Sequence, residues 1–538
     1  MNFAQSVMQG LWDRSEKTKQ LLFFSTPKEV EKKVESNGTV KEPTLPPHKR
    51  SKGQNIGLFL GPLLFFLTLF FFKPEDLSTA GVGILASTLW IATWWVTEAI
   101  PIPITSLLPL VLFPLVDGLS AKLAAGAYGD TNIFLFLGGF ILALALEKWG
   151  LHQRIALNII LFVGTSTKNI LLGIMIATGF LSMWISNTAT AMMMLPIALS
   201  IVRHVDKMSK DIGPEANFGK SLMLGVAYAS SIGGLATLIG TPPNTIFVGV
   251  VRELFGVEIS FAQWMMFGVP LAVILLFVTW LYMAYVAFPV KMKEIPGGRA
   301  LIQKQKADLG KASYEEKMVG VVFFSTAFAW MFRTFILTKF LPGLDDMMIA
   351  VIAAIVLFLI PTKNSKSGSL IGWDDAKKLP WDVLLLFGGG LAIAKGFSDS
   401  GLANWIGQQL TVLQDVPLIV IVLAVSVLVL ALTEITSNTA TATMMFPIMA
   451  SLALALDVHP YVLMVSAGLA ASCAFMLPVA TPPNAVVFGT GLIKITDMIK
   501  AGFWINIFCM LLIPIFTYFY LPFIWDIVIN VFPVEFIK

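Results

Sequence analysis

Two copies of one short polar tripeptide are the residues in this sequence best suited to bind a ligand. Ser186-Asn187-Thr188 and Ser437-Asn438-Thr439 both lie inside strongly apolar surroundings. Hydroxyl and amide side chains can donate and accept hydrogen bonds, and their oxygens also suit a hard cation such as Na⁺. Within a membrane, such groups and irregular backbone are tolerated where they line a cavity. The two triplets therefore indicate a binding site for an ion or a small polar solute.

A second motif is duplicated in the same order along the chain. Thr241-Pro242-Pro243-Asn244 follows the first triplet, and Thr481-Pro482-Pro483-Asn484 follows the second. Because Pro cannot donate a backbone hydrogen bond, each copy predicts a broken helix. A single such motif would more simply be read as helix packing and a kink. Matching breaks in two halves of a chain instead indicate the binding site of a transporter.

The two halves align at a nearly constant offset. The two triplets, the Pro that follows each of them, and two Gly-rich segments ending at Gly139 and Gly390 all differ by 251 residues. The second motif differs by 240, because the first half has a charged loop at 203–220. These landmarks predict an internal repeat.

Composition predicts an integral membrane protein. The chain has 538 residues, of which 56% are hydrophobic and 13% charged, and its mean hydropathy is +0.79. Soluble domains carry about a quarter charged residues. A membrane-crossing helix needs about 20 apolar residues. On that basis the predicted fold class is an all-α polytopic membrane protein with eleven spans, at about 55–72, 78–98, 104–117, 131–149, 219–251, 264–289, 317–338, 346–361, 380–398, 460–492 and 502–526.

Two further apolar blocks, at 168–203 and 416–456, contain the triplets near their middles. In the first block the arms on either side of Ser186 are only about 15 to 17 residues long. Because such arms are short for full spans, two re-entrant hairpins are predicted. Each repeat then has five crossings, or seven if the blocks are paired spans. Both numbers are odd, so the repeats are expected to be inverted.

Basic residues predict the orientation. With a cytoplasmic N-terminus, 30 Lys and Arg fall on the inner side and five on the outer side, which agrees with the positive-inside rule. Residues 1–54 are then a cytoplasmic tail, and the C-terminus lies outside. Arg333, Lys395, Glu98 and Glu434 lie within or at the borders of apolar segments and are functional candidates. Glu434 is interpreted as a hydrogen-bonded anchor, with proton coupling as the alternative. Arg333 and Lys395 are expected to snorkel or to bind lipid.

Neither hairpin tip contains Lys or Arg. Helix N-termini offer unpaired N–H groups that suit an oxyanion, and helix C-termini offer carbonyls that suit a cation. A doubly charged anion at these tips would therefore need co-bound cations. The sequence predicts cation-coupled anion transport.

The segment 471–487, ASCAFMLPVATPPNAVV, resembles the signature of the divalent-anion/sodium symporter family, which includes sodium-coupled dicarboxylate and citrate carriers. The resemblance extends over about residues 55–530. It implies that C4-dicarboxylates such as succinate, malate and fumarate, or related di- and tricarboxylates, move with about two or more Na⁺ ions. The residues implied to contact substrate are Asn187, Thr188, Asn438, Thr439 and Pro482. Those implied to bind Na⁺ are Ser182, Ser186, Asn187 and Gly240 at a first site, and Thr433, Thr436, Asn438 and Ala480 at a second.

The resemblance also implies an elevator mechanism and a homodimer. The scaffold would comprise residues 55–150 and 317–400, and the moving transport domain residues 165–290 and 415–528. Alternatives on the same fold are a proton-coupled or Na⁺-independent dicarboxylate exchanger and a sulfate carrier. A membrane enzyme is disfavoured because the four His show no metal-ligand spacing and Cys473 has no nearby His. The duplicated polar tips disfavour a channel.

Overall fold

The computed structural model describes residues 50–208, 216–290, 292, 294–295, 297–363 and 368–536. Nearly all of the predicted tail, residues 1–49, lies outside this part. The described chain folds into helices in two successive series. Short polar caps begin many of them: the side chains of Ser78, Ser166, Ser260 and Ser313 each accept a hydrogen bond from a first-turn N–H group.

The first series has twelve helices. In chain order they are α1 (Lys52–Phe71), α2 (Thr79–Thr97), α3 (Ile102–Thr105), α4 (Pro109–Leu115), α5 (Ala121–Gly126), α6 (Thr131–Lys148), α7 (Leu151–Val163), α8 (Thr167–Ser182), α9 (Asn187–Met208), α10 (Ala216–Gly234), α11 (Pro242–Phe255) and α12 (Phe261–Tyr282).

The polar helix α13 (Gly298–Asp308) connects this series to the second. The second series comprises α14 (Tyr314–Phe332), α15 (Thr338–Phe340), α16 (Asp346–Leu359), α17 (Trp373–Ala376), α18 (Trp381–Asp399), α19 (Leu402–Leu410), α20 (Leu418–Thr433), α21 (Asn438–Ala455), α22 (Pro460–Ala471), α23 (Pro482–Phe488), α24 (Ile495–Ile515) and α25 (Leu521–Trp525). Short π-helical turns extend α12, α14 and α24.

The two series repeat in register around the triplets. Helices α7, α8 and α9 begin 251 residues before α19, α20 and α21, and α11 begins 240 residues before α23. Both copies of the Pro-Pro motif lie at a helix break, as predicted. The unwound residues lie at 235–241 and 472–481 and end with the Thr of the motif, and the Pro pair opens the next helix.

Nine helices of the described chain are long and apolar enough to cross a membrane, or ten if α19 and α20 form one bent span. The prediction of several spans is confirmed at this level, whereas the count of eleven stays a prediction. The predicted span at 104–117 consists of the short helices α3 and α4, and α16 has only 14 residues. At 1.5 Å per residue, α16 extends about 21 Å, less than a hydrocarbon core of about 30 Å.

Two helices, α7 and α19, lie where the sequence analysis assigns no element. Each begins after a Gly in the left-handed region, Gly150 with φ 72° and Gly401 with φ 76°. Their apolar residues occupy one face only, so neither resembles a membrane span in sequence. Helix α19 and the short turn after it meet α20 at 116°. Both helices lead into the predicted hairpins.

Close backbone contacts position the broken helices. A Cβ atom on Gly233 in α10 would lie 2.2 Å from the carbonyl oxygen of Gly179 in α8. A Cβ atom on Gly502 in α24 would lie 2.2 Å from the carbonyl oxygen of Phe475 in the second break. Since real Cβ contacts are much longer, only Gly allows these helices to pack so closely.

Candidate functional site

Both triplets line one cavity of about 680 Å³. The triplets lie at the N-termini of α9 and α21, and both Pro-Pro motifs line the same cavity. Residues 251 positions apart in sequence are therefore brought together around one space. The lining contains these residues predicted to bind substrate or Na⁺: Ser186, Asn187, Thr188, Gly240, Thr436, Asn438, Thr439, Ala480 and Pro482.

Two of the residues implied to bind Na⁺ are not in the lining. Ser182 and Thr433 end helices α8 and α20, and both are fully buried. Each is hydrogen-bonded to a residue of the cavity lining: Ser182 to Asn187, and Thr433 to Asn438. The hydroxyl of Ser182 donates to Oδ1 of Asn187 at 2.7 Å, and that of Thr433 is 2.7 Å from Oδ1 of Asn438.

Oxygen atoms converge around Asn187 in the first half. The inward end of its amide, which contacts the Ser182 hydroxyl, also lies 2.9 Å from the carbonyl oxygen of Ser230 and 3.3 Å from that of Gly240. An amide oxygen at this end would face two other acceptors without a donor, so without a cation the amide nitrogen is the better fit there. Turning the amide over would place its nitrogen there to donate to both carbonyls. A cation would favour the orientation with the oxygen inward.

The second half has a corresponding cluster. Besides contacting Asn438, the Thr433 hydroxyl is 2.6 Å from the carbonyl oxygen of Ala471. One hydroxyl has a single hydrogen and can donate to only one of these acceptors at a time. Thr436 is engaged locally, because its hydroxyl donates to the carbonyl of Leu432 at 2.7 Å. The oxygens of Thr433, Asn438 and Ala471 thus form the core of this cluster.

The ends of the cavity-lining helices suit an anion. Helix α9 begins at Asn187 and α21 at Asn438, and the first N–H groups of a helix have no partner within it. Ser437, before α21, makes no side-chain capping bond. Such N-termini carry partial positive charge and bind carboxylates. The cavity can therefore offer N–H donors to an oxyanion beside oxygen clusters suited to cations.

Charged side chains of the lining are mostly acidic. Among the residues that the structure describes, Glu98, Glu147 and Asp382 line the cavity together with a single cation, Lys378, and no Arg. The walls therefore supply no net positive charge against a dianion. Helix N-termini and co-bound cations are left to offset it.

Two Asn residues that the sequence analysis did not assign a role maintain both breaks. Asn244 Nδ2 lies 3.1, 3.3 and 2.8 Å from the carbonyl oxygens of Gly234, Leu235 and Thr237. Asn484 Nδ2 lies 3.1 and 3.0 Å from those of Ala474 and Leu477. These Asn side chains donate to carbonyls that the broken helices leave unpaired. The sequence signal for this role was that each Asn is the last residue of a duplicated Thr-Pro-Pro-Asn motif.

The expectation that Arg333 and Lys395 snorkel or bind lipid does not agree with their contacts. Arg333 is 7% exposed, its Nε lies 2.6 Å from Asp346 Oδ1, and its Nη2 donates to Glu258 Oε1 at 3.1 Å. Lys395 Nζ donates to Glu253 Oε1 at 2.8 Å. Both cations therefore form ion pairs with carboxylates that follow or end helix α11 or begin α16.

We expect Arg333→Met to lower the thermal midpoint of the purified protein by several degrees. Asp346 is buried as well, so removing the Arg leaves an uncompensated buried carboxylate, which costs about 3–5 kcal/mol. Differential scanning fluorimetry in detergent would measure the change. Lys377→Met, at the exposed pair with Asp374, is the matched control and should change little. Equal shifts in both variants would contradict a structural role for the Arg333 cluster.

Comparison with known proteins places the chain among membrane transporters. The family model described as "Sodium:sulfate symporter transmembrane region" matches residues 53–528. The sodium-dependent dicarboxylate transporter SdcS of Staphylococcus saprophyticus is 54% identical over 476 residues, covering 87% of this chain and 92% of the relative. SdcS of Staphylococcus aureus strain USA300 is 54% identical over 486 residues, covering 89% and 94%. These proteins are transporters, which confirms that the chain is not an enzyme.

Two solved structures share the fold at low sequence identity. The YdaH transporter of Alcanivorax borkumensis is 12% identical, with a TM-score of 0.53 over 74% of this chain and 87% of that one. MtrF of Neisseria gonorrhoeae is 13% identical, with a TM-score of 0.52 over 88% and 95%. At such identities the likeness concerns the helical architecture alone.

Proposed function

This chain belongs to the sodium:sulfate symporter family, the divalent-anion/sodium symporters, and we propose that it couples the uptake of C4-dicarboxylates to Na⁺. The observation that carries the proposal is the single cavity into which both triplets and both helix breaks open. Relatives 54% identical to it are named sodium-dependent dicarboxylate transporters, which supports the same substrate class here.

In this proposal the carboxylates of the substrate accept from the N-terminal ends of α9 and α21. Asn187 and Asn438 each serve two ligands, because an amide can donate to the anion while its oxygen faces a cation. Thr188, Thr439 and Pro482 complete the substrate pocket. The implied first Na⁺ set is Ser182, Ser186, Asn187 and Gly240, and the cluster geometry adds the carbonyl of Ser230. The implied second set is Thr433, Thr436, Asn438 and Ala480, to which the geometry adds the carbonyl of Ala471.

Coupling follows from electrostatics in this proposal. A dianion entering a cavity with three carboxylates and one Lys in its lining meets a net negative wall. Moving it through a low-dielectric membrane without counter-ions would be costly. Co-binding about two Na⁺ ions removes most of that cost, so neither ligand should move well alone.

We further propose the arrangement that the family resemblance implies. The two halves are inverted repeats, each with a re-entrant hairpin, and the N-terminus is cytoplasmic. The C-terminus lies outside. Residues 165–290 and 415–528 move as the transport domain against a scaffold formed by 55–150 and 317–400. The protein acts as a homodimer in the cell membrane.

Uptake by proteoliposomes tests the coupling directly. Labelled succinate should accumulate with an inward Na⁺ gradient and not when choline or K⁺ replaces Na⁺. Unlabelled malate and fumarate should compete strongly, and citrate and sulfate show how far the specificity extends. Equal uptake without Na⁺, or uptake driven by a pH gradient alone, would favour an exchanger or a proton-coupled carrier. Competition by sulfate without competition by malate would favour a sulfate carrier.

A further inference from the structure

Glu434 is a buried carboxylate between helix α20 and the second triplet. It is 6% exposed, and its Oε1 accepts from the backbone N–H groups of Phe475 and Met476 at 2.8 and 3.0 Å. The side-chain amide of Asn506 in α24 donates to the same oxygen at 2.6 Å. Three N–H donors fix the position of this carboxylate oxygen. Glu434 therefore ties the second break to α20 and to α24.

No Lys, Arg or His forms an ion pair with Glu434 in the part of the chain that the structure describes. A buried charge is costly unless it is paired or well hydrogen-bonded. The oxygen cluster of Thr433, Asn438 and the Ala471 carbonyl lies at the same end of helix α20, because Thr433 is the residue before Glu434. A cation in that cluster would be a counter-charge within the same buried region.

The first half has no acidic residue at the corresponding position. The offset of 251 places Met183 where the second half has Glu434. There the backbone carbonyl of Met183 accepts from the hydroxyl of Thr237 in the first break. The first break is thus held to the preceding helix by a hydrogen bond between neutral groups, whereas the second break is held by a carboxylate.

The partner Asn506 is also specific to the second half. Gly268 in α12 lies against the carbonyl of Leu235, as Gly502 in α24 lies against that of Phe475. Counting four residues on from each Gly pairs Asn506 with Ala272. Neither member of the Glu434–Asn506 pair therefore has a polar counterpart in the first half.

We infer that Glu434 is a positioning residue that holds the second break and supplies the fixed negative charge of the second cation cluster. The inference rests on the proposed function, since it takes Na⁺ to bind there. It follows that the two otherwise similar clusters differ in their affinity for Na⁺. The second binds Na⁺ more tightly than the first, because the neutral Met183 occupies the position in the first half that Glu434 occupies in the second.

The test is Na⁺ binding to the purified full-length protein without substrate, followed as the Na⁺-dependent rise of the thermal midpoint. Glu434→Gln keeps an acceptor for Phe475 and Met476 and removes the charge. We expect the half-saturating Na⁺ concentration to rise about tenfold. Glu434→Asp, which keeps the charge, should stay within about threefold of the wild type. A half-saturating concentration unchanged in a folded Glu434→Gln variant would overturn the inference.

Asn506→Ala distinguishes an effect of the Glu434 charge from an effect of holding the second break rigid. It also tests the inference if Glu434→Gln does not fold. It removes a donor and leaves the carboxylate less neutralised, so Na⁺ affinity should stay constant or increase. A tenfold loss of affinity in Asn506→Ala would show that Glu434 acts only through rigidity and overturn the charge assignment. If Na⁺ does not raise the thermal midpoint of the wild-type protein more than K⁺ does, the proposed function fails. That result is seen in the wild type and is therefore distinct from the results of the two variants.

Discussion

Replacing either triplet Asn by Ala should reduce Na⁺-driven succinate uptake at least a hundredfold while the protein still folds. In Asn187→Ala the Ser182 hydroxyl and the carbonyls of Ser230 and Gly240 lose the amide between them. In Asn438→Ala the Thr433 hydroxyl loses one of its two acceptors, the Asn438 amide oxygen at 2.7 Å, and keeps the Ala471 carbonyl. Each substitution removes one cation ligand and one substrate donor together, so both sides of the coupling should fail. Uptake of labelled succinate into proteoliposomes would measure this.

Asn217→Ala is the matched control, because Asn217 is exposed and, among the described residues, its side chain hydrogen-bonds to the loop carbonyl of Pro289 alone. Its uptake should equal that of the wild type. The thermal midpoint and the elution profile in detergent distinguish lost function from lost folding. Normal uptake by both Asn187→Ala and Asn438→Ala would refute the assignment of the triplets to the binding site.

The second large effect is expected from the Asn residues of the Pro-Pro motifs. Asn244→Ala removes the donor that faces three carbonyls of the first break, and Asn484→Ala the donor that faces two of the second. Both Asn residues are at most 1% exposed, so water cannot easily replace the amide. Each buried acceptor left without a donor costs about 1–3 kcal/mol. We expect a large fall in thermal midpoint and no measurable uptake.

Asn169→Ala provides the comparison for these variants. Asn169 donates a single side-chain bond to the Val163 carbonyl at 3.3 Å, away from the cavity lining. Losing one partly buried bond should cost about 1 kcal/mol and leave uptake intact. Melting curves of the three variants in one detergent would show whether the Asn244 and Asn484 effects are larger. Similar small shifts in all three would mean that the breaks do not depend on these amides.

The two breaks illustrate how strongly local chemistry acts in this fold. Thr241 and Thr481 adopt extended backbone conformations before their helices, and each Pro pair then fixes the first helical turn. The interruption therefore ends immediately before the Pro pair, and the Pro residues themselves are helical. In both halves the unwound stretch carries a residue of the cavity wall, Gly240 or Ala480.

Much of the fold and part of the site were predictable from sequence because their signals are local. Apolar composition predicts a polytopic helical membrane protein, and the constant offset between the triplets predicts two matching halves. The Pro pairs predict the breaks from their own covalent structure. The helices α7 and α19 were not predictable in this way, because each has only one apolar face and matches neither a span nor a loop.

The sequence by itself determined the apolar helices, the duplicated motifs and the residue types able to bind an anion and a cation. Only the tertiary structure decided which atoms meet: Asn187 with the carbonyl of Ser230, Arg333 with Glu258, and Glu434 with Asn506, 72 residues further along the chain. The physical reason is the distance along the chain over which each interaction acts. Caps and Pro breaks act within a few residues, whereas buried hydrogen bonds and ion pairs form wherever helix packing brings a donor to an acceptor.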